Sequence, residues 1–155
     1  MIVLFVCTAN ISRSFLAEML FRDAIDRNNL KDVLVSSAGI HAGSGYPPDS
    51  KMIEYLLKQN VKVADHASRQ VRQEDVDTAD LILVMEKAQA EQIIRRWPQA
   101  ADKVELLGSY VSADSPADDI IDPYGRSPYH YRLAQSQISL AIERIVQNLK
   151  GPGGE

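Results

Sequence analysis

Apolar runs and polar breaks alternate regularly along this chain. Ile2 to Val6 are five consecutive apolar residues, rich in β-branched side chains and too short for a helix, so they predict a strand buried on both faces. Val33 to Ser37 predicts a second strand, with Ala38-Gly39 breaking it. Leu81 to Met85 is an unbroken apolar third, and Lys103 to Leu107 a fourth. Helical spacing separates them. Ala17, Leu20, Phe21 and Ala24 recur at i, i+3, i+4 and i+7, widened by Leu16 and Met19, which starts a helix near Ser14. Pro47-Pro48-Asp49 opens another, running to about Gln59 with Met52, Ile53, Leu56 and Leu57 toward the core. The acidic stretch Gln73 to Asp80 predicts a short solvated helix. Ala90, Ile93, Ile94 and Trp97 carry a helix that Pro98 ends, with Trp97 as core; Ala134, Ile138, Ala141, Ile142 and Ile145 carry the last, from about Tyr129 to Leu149.

This alternation predicts a three-layer α/β/α fold, flavodoxin- or Rossmann-like, with a four-stranded parallel sheet. No repeat and no second domain interrupts it. The expected organisation is one domain over residues 1–150 and a flexible tail, Gly151-Pro152-Gly153-Gly154-Glu155. Composition adds exclusions. At 155 residues, 45% apolar and 25% charged, the chain suits a soluble domain of ordinary size. A net charge of −4 gives no basic footprint for nucleic acid or an anionic membrane. No apolar stretch approaches the length of a membrane span, and no basic segment precedes the short first run. The single cysteine allows no internal disulfide and points to a reducing cytosol, hence a cytoplasmic protein. The three histidines, His41, His66 and His130, lack ligand spacing, so neither a metal nor another cofactor is expected.

The candidate chemistry lies where the first strand meets the first helix. Cys7 closes the strand, a short polar loop follows, and Arg13 stands at the helix start. First-turn N–H groups lack intrahelical partners and carry the positive end of the helix dipole, so anions bind there. A thiol held over such an end beside a guanidinium favours its thiolate, a strong nucleophile at neutral pH. Arg13 can offer its planar fork to two oxygens of one phosphate. Taken without their flanking elements, Cys7 is a buried strand-end thiol and Arg13 a surface charge.

The stretch Val6-Cys7-Thr8-Ala9-Asn10-Ile11-Ser12-Arg13-Ser14, followed by Ala17-Glu18, resembles the phosphate-binding loop of the low molecular weight protein tyrosine phosphatases, whose pattern is C-x-G-N-x-C-R-S-P. The resemblance implies that Cys7 attacks phosphorus, that Arg13 holds the phosphoryl oxygens, and that Ser14 stabilises the thiolate. Thr8, Ala9, Asn10, Ile11 and Ser12 would complete the loop around the substrate. Ala9 replaces glycine, Ser12 the second cysteine and Phe15 proline. Asn10 is the residue expected at positive φ. Ser36-Ser37-Ala38-Gly39 is similar to a segment whose serine braces the loop, here Ser37, and His66-Ala67-Ser68-Arg69 to one whose histidine supports the loop asparagine. On the residues alone, Ser37 is equally a strand-end serine and His66 a histidine satisfying local backbone groups. The Gly/Pro-rich loop from Ile40 to Pro48 corresponds to a crevice wall, with Tyr46 its exposed aromatic.

A long polar loop from Gly108 to Pro128 holds Asp114, Asp118, Asp119 and Asp122, and in a parallel sheet it leaves by the same edge as Cys7. Asp122-Pro123-Tyr124-Gly125 resembles the family's D-P-Y loop. Asp122 would be the general acid, worth about 10²–10⁴-fold, and Tyr124 part of the rim. The other three aspartates read as solvated.

The resemblance therefore implies hydrolysis of phosphotyrosine in a protein substrate through a phosphocysteine, with inorganic phosphate as product. Three other activities share the scaffold. In related protein-arginine phosphatases the position of Ile11 is typically threonine, and an apolar side chain there favours a flat phenyl ring. An arsenate reductase would need further cysteines for its disulfide relay. A phosphocysteine carrier would keep the loop without a general acid. Apart from these activities stands a non-enzymatic, flavodoxin-like mononucleotide-binding module, for which the short loop and single cysteine give little support.

Overall fold

The computed structural model describes residues 1–114 and 118–151. Its elements are β1 (Ile2–Cys7), α1 (Arg13–Arg27), β2 (Leu34–Gly39), α2 (Ser50–Lys58), α3 (Gln73–Thr78), β3 (Leu81–Val84), α4 (Lys87–Arg96), β4 (Val104–Leu106) and α5 (Pro128–Lys150), with 3-10 turns at Pro98–Lys103 and Leu107–Tyr110. The four strands are parallel in the order β2-β1-β3-β4, as the alternation predicts. The chain enters at an inner strand and later crosses to its other side. In such sheets ligand crevices open beyond the carboxyl ends of the strands at this switch point.

Strand periodicity sorts the core into two layers. Val3, Phe5 and Cys7 face the side covered by α1, α2 and α5, where Phe5 meets Phe21 edge-on at 5.7 Å. Leu4 and Val6, with Ile82 and Val84, face Val76, Ile93 and Trp97 on the other side. Both faces are therefore buried, which is why β1 is apolar at every position from Val3 to Val6. At roughly 1.5–3 kcal/mol per large buried side chain, these two layers are the main source of stability.

Several elements depart from their expected shape. β2 does not break at Ala38-Gly39: it runs through Gly39, paired with Cys7. A Cβ at Gly39 would lie 2.6 Å from the Thr8 carbonyl oxygen and 3.0 Å from the Asn10 nitrogen, so glycine here lets β2 pass beneath the loop. β4 is shorter than expected, its ends curled into the flanking 3-10 turns. On α2 only Met52 and Leu56 are buried, and Leu57 is exposed because it follows Leu56 round to the outer face. Val76 is fully buried in the second layer, so α3 is docked and not wholly solvated. α5 opens with Pro128 in its first turn and is followed by Gly151 at φ +73. The rest of the expected tail, Pro152 to Glu155, lies outside the described residues. Among the described residues no helix is long and apolar enough to cross a membrane.

Candidate active site

β1 ends at Cys7, α1 begins at Arg13, and the intervening loop closes a crevice of about 100 Å³ lined by Cys7, Thr8, Ala9, Ile11, Ser12 and Arg13 on one side and by Asp122 and Tyr124 on the other. Asn10 turns the loop at φ +60, as expected of an asparagine. Ala9 is not among the described residues at positive φ, so alanine replaces glycine there without strain. Ser12 occupies the N-cap of α1 but makes no side-chain cap bond; its hydroxyl donates to Asp49 Oδ2 at 3.0 Å. With no acidic side chain in that first turn either, its N–H groups are left for an anion. A larger groove, about 630 Å³, opens between α1, α2 and α5 near Arg27 and Lys150. Cys7, Arg13 and Asp122 line the smaller crevice and not this groove.

Hydrogen-bond directions behind the crevice follow from the donors available. Arg69 N–H donates to Asn10 Oδ1 at 3.1 Å, which fixes the amide orientation. Asn10 Nδ2 therefore donates to Ser14 Oγ at 2.8 Å and to Ser37 Oγ at 2.9 Å. Ser14 Oγ, already an acceptor, keeps its proton for Cys7 Sγ, 3.0 Å away. Ser37 in turn donates to the buried Glu18 Oε1 at 2.5 Å, and Arg22 pairs with the same carboxylate at 2.7 Å. His66 Nε2 lies 2.8 Å from the Asn10 carbonyl, which requires it to be the donor. Asn10, Ser14, Ser37 and His66 thus stand behind the loop as its scaffold and do not line the crevice. Phe15 is fully buried against the His66 ring, centroids 4.9 Å apart, so an aromatic brace stands where the resembled pattern has proline.

Arg13 is only 2% exposed. Its Nη1 donates to the Ile120 carbonyl at 2.8 Å and pairs with Glu86 Oε2 at 2.7 Å, while Nη2 sits 3.8 Å from Asp122 Oδ2. With Nη1 engaged, the fork left for a phosphoryl group is Nε with Nη2. Glu86 stands two residues beyond the end of β3 at the same sheet edge, and sequence reasoning missed it; its place after the apolar run Leu81 to Met85 was the available signal. Gln89 holds Glu86 in turn, accepting its N–H and that of Met85 through Oε1, and reaches Thr8 Oγ1 with Nε2 at 3.1 Å.

Asp122 is half-exposed, and its Oδ1 accepts the Tyr124 N–H at 3.2 Å. Tyr124 is exposed at the mouth. Tyr46 is exposed as well, but it is not among the residues lining the crevice; its ring covers Gly43, where a Cβ would come within 2.2 Å of it. Cys7, Arg13 and Asp122, which the sequence singles out from distant stretches of chain, thus line one crevice.

The family model for low molecular weight phosphotyrosine protein phosphatase matches residues 2–152. The chain belongs to this family. A protein-arginine-phosphatase of Geobacillus stearothermophilus is 34% identical over 96% of this chain and 95% of its own. A probable low molecular weight protein-tyrosine-phosphatase, EpsP of Ralstonia solanacearum, is also 34% identical, over 97% of each chain. Among solved structures, a cysteine-to-serine mutant of the YwlE arginine phosphatase with a phosphorylated active-site serine superposes with a TM-score of 0.88, at 29% identity and 97% coverage of both chains. Within this low molecular weight phosphatase the departures at Ala9, Ser12 and Phe15 are each accommodated: no strain, a hydrogen bond to Asp49, and a ring packed on His66.

Proposed function

We propose that this phosphatase hydrolyses phosphotyrosine in proteins through a phosphocysteine, and the observation that carries the reading is Cys7, Arg13 and Asp122 lining one crevice. Cys7 Sγ attacks phosphorus; the S–P bond forms as the P–O bond to the phenol breaks, and Asp122 gives its proton to the leaving oxygen. Nε and Nη2 of Arg13 and the loop N–H groups hold the equatorial oxygens of the transferring group. Water then loses a proton to Asp122 and attacks phosphorus, the S–P bond breaks, and inorganic phosphate leaves. The Ser14 hydroxyl, oriented by Asn10, donates to the sulfur each time it carries the electron pair. This sequence closes without a cofactor.

Ile11 supports tyrosine over arginine, because it and the Tyr124 ring line the crevice and present apolar surface to a flat phenyl group. The relatives named as arginine phosphatases make phosphoarginine the second reading. Cys7 is the chain's only cysteine, so an arsenate reductase relaying a disulfide within the chain has no partner thiol. Asp122 at the crevice argues against a carrier that must keep its phosphoryl group. A cytoplasmic location suits a phosphatase whose one thiol has to stay reduced. Phosphate release from phosphotyrosine, phosphoserine and phosphoarginine peptides, with Cys7→Ser as control, tests the reading. Phosphotyrosine is expected to turn over fastest and Cys7→Ser not at all. Faster turnover of phosphoarginine would replace the substrate, and appreciable turnover by Cys7→Ser would remove the nucleophile.

A further inference from the structure

Asp49 and Tyr131 are buried and titratable, and the chemistry above uses neither, yet they join the elements that perform it. Asp49 caps α2: its Oδ1 accepts the Lys51 N–H at 3.0 Å, and its own N–H donates to the Ile11 carbonyl at 2.7 Å. Its Oδ2 turns the other way. It accepts Ser12 Oγ from the phosphate loop at 3.0 Å and the Tyr131 hydroxyl from α5 at 2.6 Å. Asp49, Ser12 and Tyr131 are 7%, 5% and 6% exposed, so these donors replace the water a carboxylate would otherwise bind.

The course of the acid loop shows what Tyr131 holds. Upstream of Asp122, Ile120 is tied by its N–H to the Met85 carbonyl at 2.8 Å and by its carbonyl to Arg13 at 2.8 Å. Downstream, from Asp122 to His130, the hydrogen bonds of the described residues are local: Tyr124 N to Asp122, Arg126 N to Pro123, His130 to Ser127. Tyr131 is the next residue to reach outside the segment. Asp122 thus lies between two tethers, Arg13–Ile120 before it and Tyr131–Asp49–Ser12 after it, and both end on the phosphate loop.

We propose that Tyr131, acting through Asp49 and Ser12, is a positioning residue that sets where Asp122 stands over the phosphate loop; the proposal rests on Asp122 being the general acid. Burial, and then the bond to Asp49, push the Tyr131 phenol well above its ordinary value, so it remains a donor at working pH. Its ring is held separately, with Lys51 Nζ 5.0 Å from the centroid, and Tyr131→Phe removes the tether alone.

Rates on aryl phosphates with phenols of graded acidity, for the native chain, Tyr131→Phe, Asp122→Asn and the double variant, test it. A misplacement of about 1 Å costs up to 10²-fold, so Tyr131→Phe is expected to lose about tenfold on phenyl phosphate and clearly less on a dinitrophenyl ester. Because Tyr131 acts through Asp122, Tyr131→Phe is expected to add no loss in the Asp122→Asn background, which a merely structural residue would not satisfy. Orthovanadate binding, read by competitive inhibition, reports that the loop is intact. Should Tyr131→Phe fail to fold, Ser12→Ala cuts the tether at its other end and carries the same test. Equal loss on every ester, or a loss that multiplies that of Asp122→Asn, overturns the positioning role. If Asp122→Asn itself loses equally across the series, the acid assignment fails and takes the positioning role with it.

Discussion

Replacing Asn10 with alanine removes three side-chain hydrogen bonds at once: to Ser14, to Ser37 and from Arg69. All are buried or part-buried, so at about 1 kcal/mol each the loss is near 3 kcal/mol. Alanine at φ +60 adds about 1–2 kcal/mol of left-handed strain. The sum, about 4–5 kcal/mol, is a large share of the roughly 5–15 kcal/mol that holds a domain folded. Glycine at the same position loses the same bonds but escapes the strain, so Asn10→Gly is expected to be the more stable of the two by about 1 kcal/mol. Both variants release the Ser14 hydroxyl from its orientation, and both are expected to lose activity by a similar factor. Urea unfolding followed by Trp97, the only tryptophan and a buried one, measures the stabilities. Phosphate release well below each midpoint measures the chemistry. An Asn10→Ala protein within 1 kcal/mol of native, or a glycine variant less stable than the alanine one, would refute the account of this loop.

Arg13→Lys is expected to lose nearly all turnover, because a lysine cannot hold Ile120, Glu86 and two phosphoryl oxygens together; a rate near native in a steady-state assay would sink the clamp. Gly39→Ala drives a methyl against the Thr8 carbonyl and the Asn10 nitrogen, and overpacking of this kind costs roughly 1–3 kcal/mol. Its melting temperature is expected to fall and its KM for an aryl phosphate to rise, whereas an unchanged KM would show that the loop moves freely over β2.

What the sequence disclosed was local, and what it hid was distant. Strand, loop and helix around Cys7 were legible because apolar spacing and residue chemistry lie within a single stretch of chain. Asp122 was legible only through the shared sheet edge and a four-residue resemblance. Gly39 read as a strand breaker because its reason is steric: it makes room for a loop thirty residues earlier in the chain. The Asp49 bond to Ser12 spans 37 positions and its bond to Tyr131 spans 82, and no periodicity encodes a partner at such range. Leu57 shows the opposite error, since an apolar residue beside a core position was counted as core when the helix turns it outward.

The tie between Arg13 and Ile120 crosses 107 positions of the chain. A ribosome that has just extruded β1 and α1 has therefore made Cys7, Arg13 and the Asn10–Ser14 bonds beside them, while Ile120, which ties Arg13, and Asp122 are still to come. Contacts of this separation close late in folding, after the entropy of a long loop has been overcome. During synthesis the nascent chain consequently carries the phosphate loop before it carries the far wall of the crevice, which closes only once Ile120 and Asp122 have emerged. On refolding from denaturant, recovery of phosphate release is expected to trail recovery of helical signal, so the enzyme's own activity is a stopwatch for the closing step of its folding.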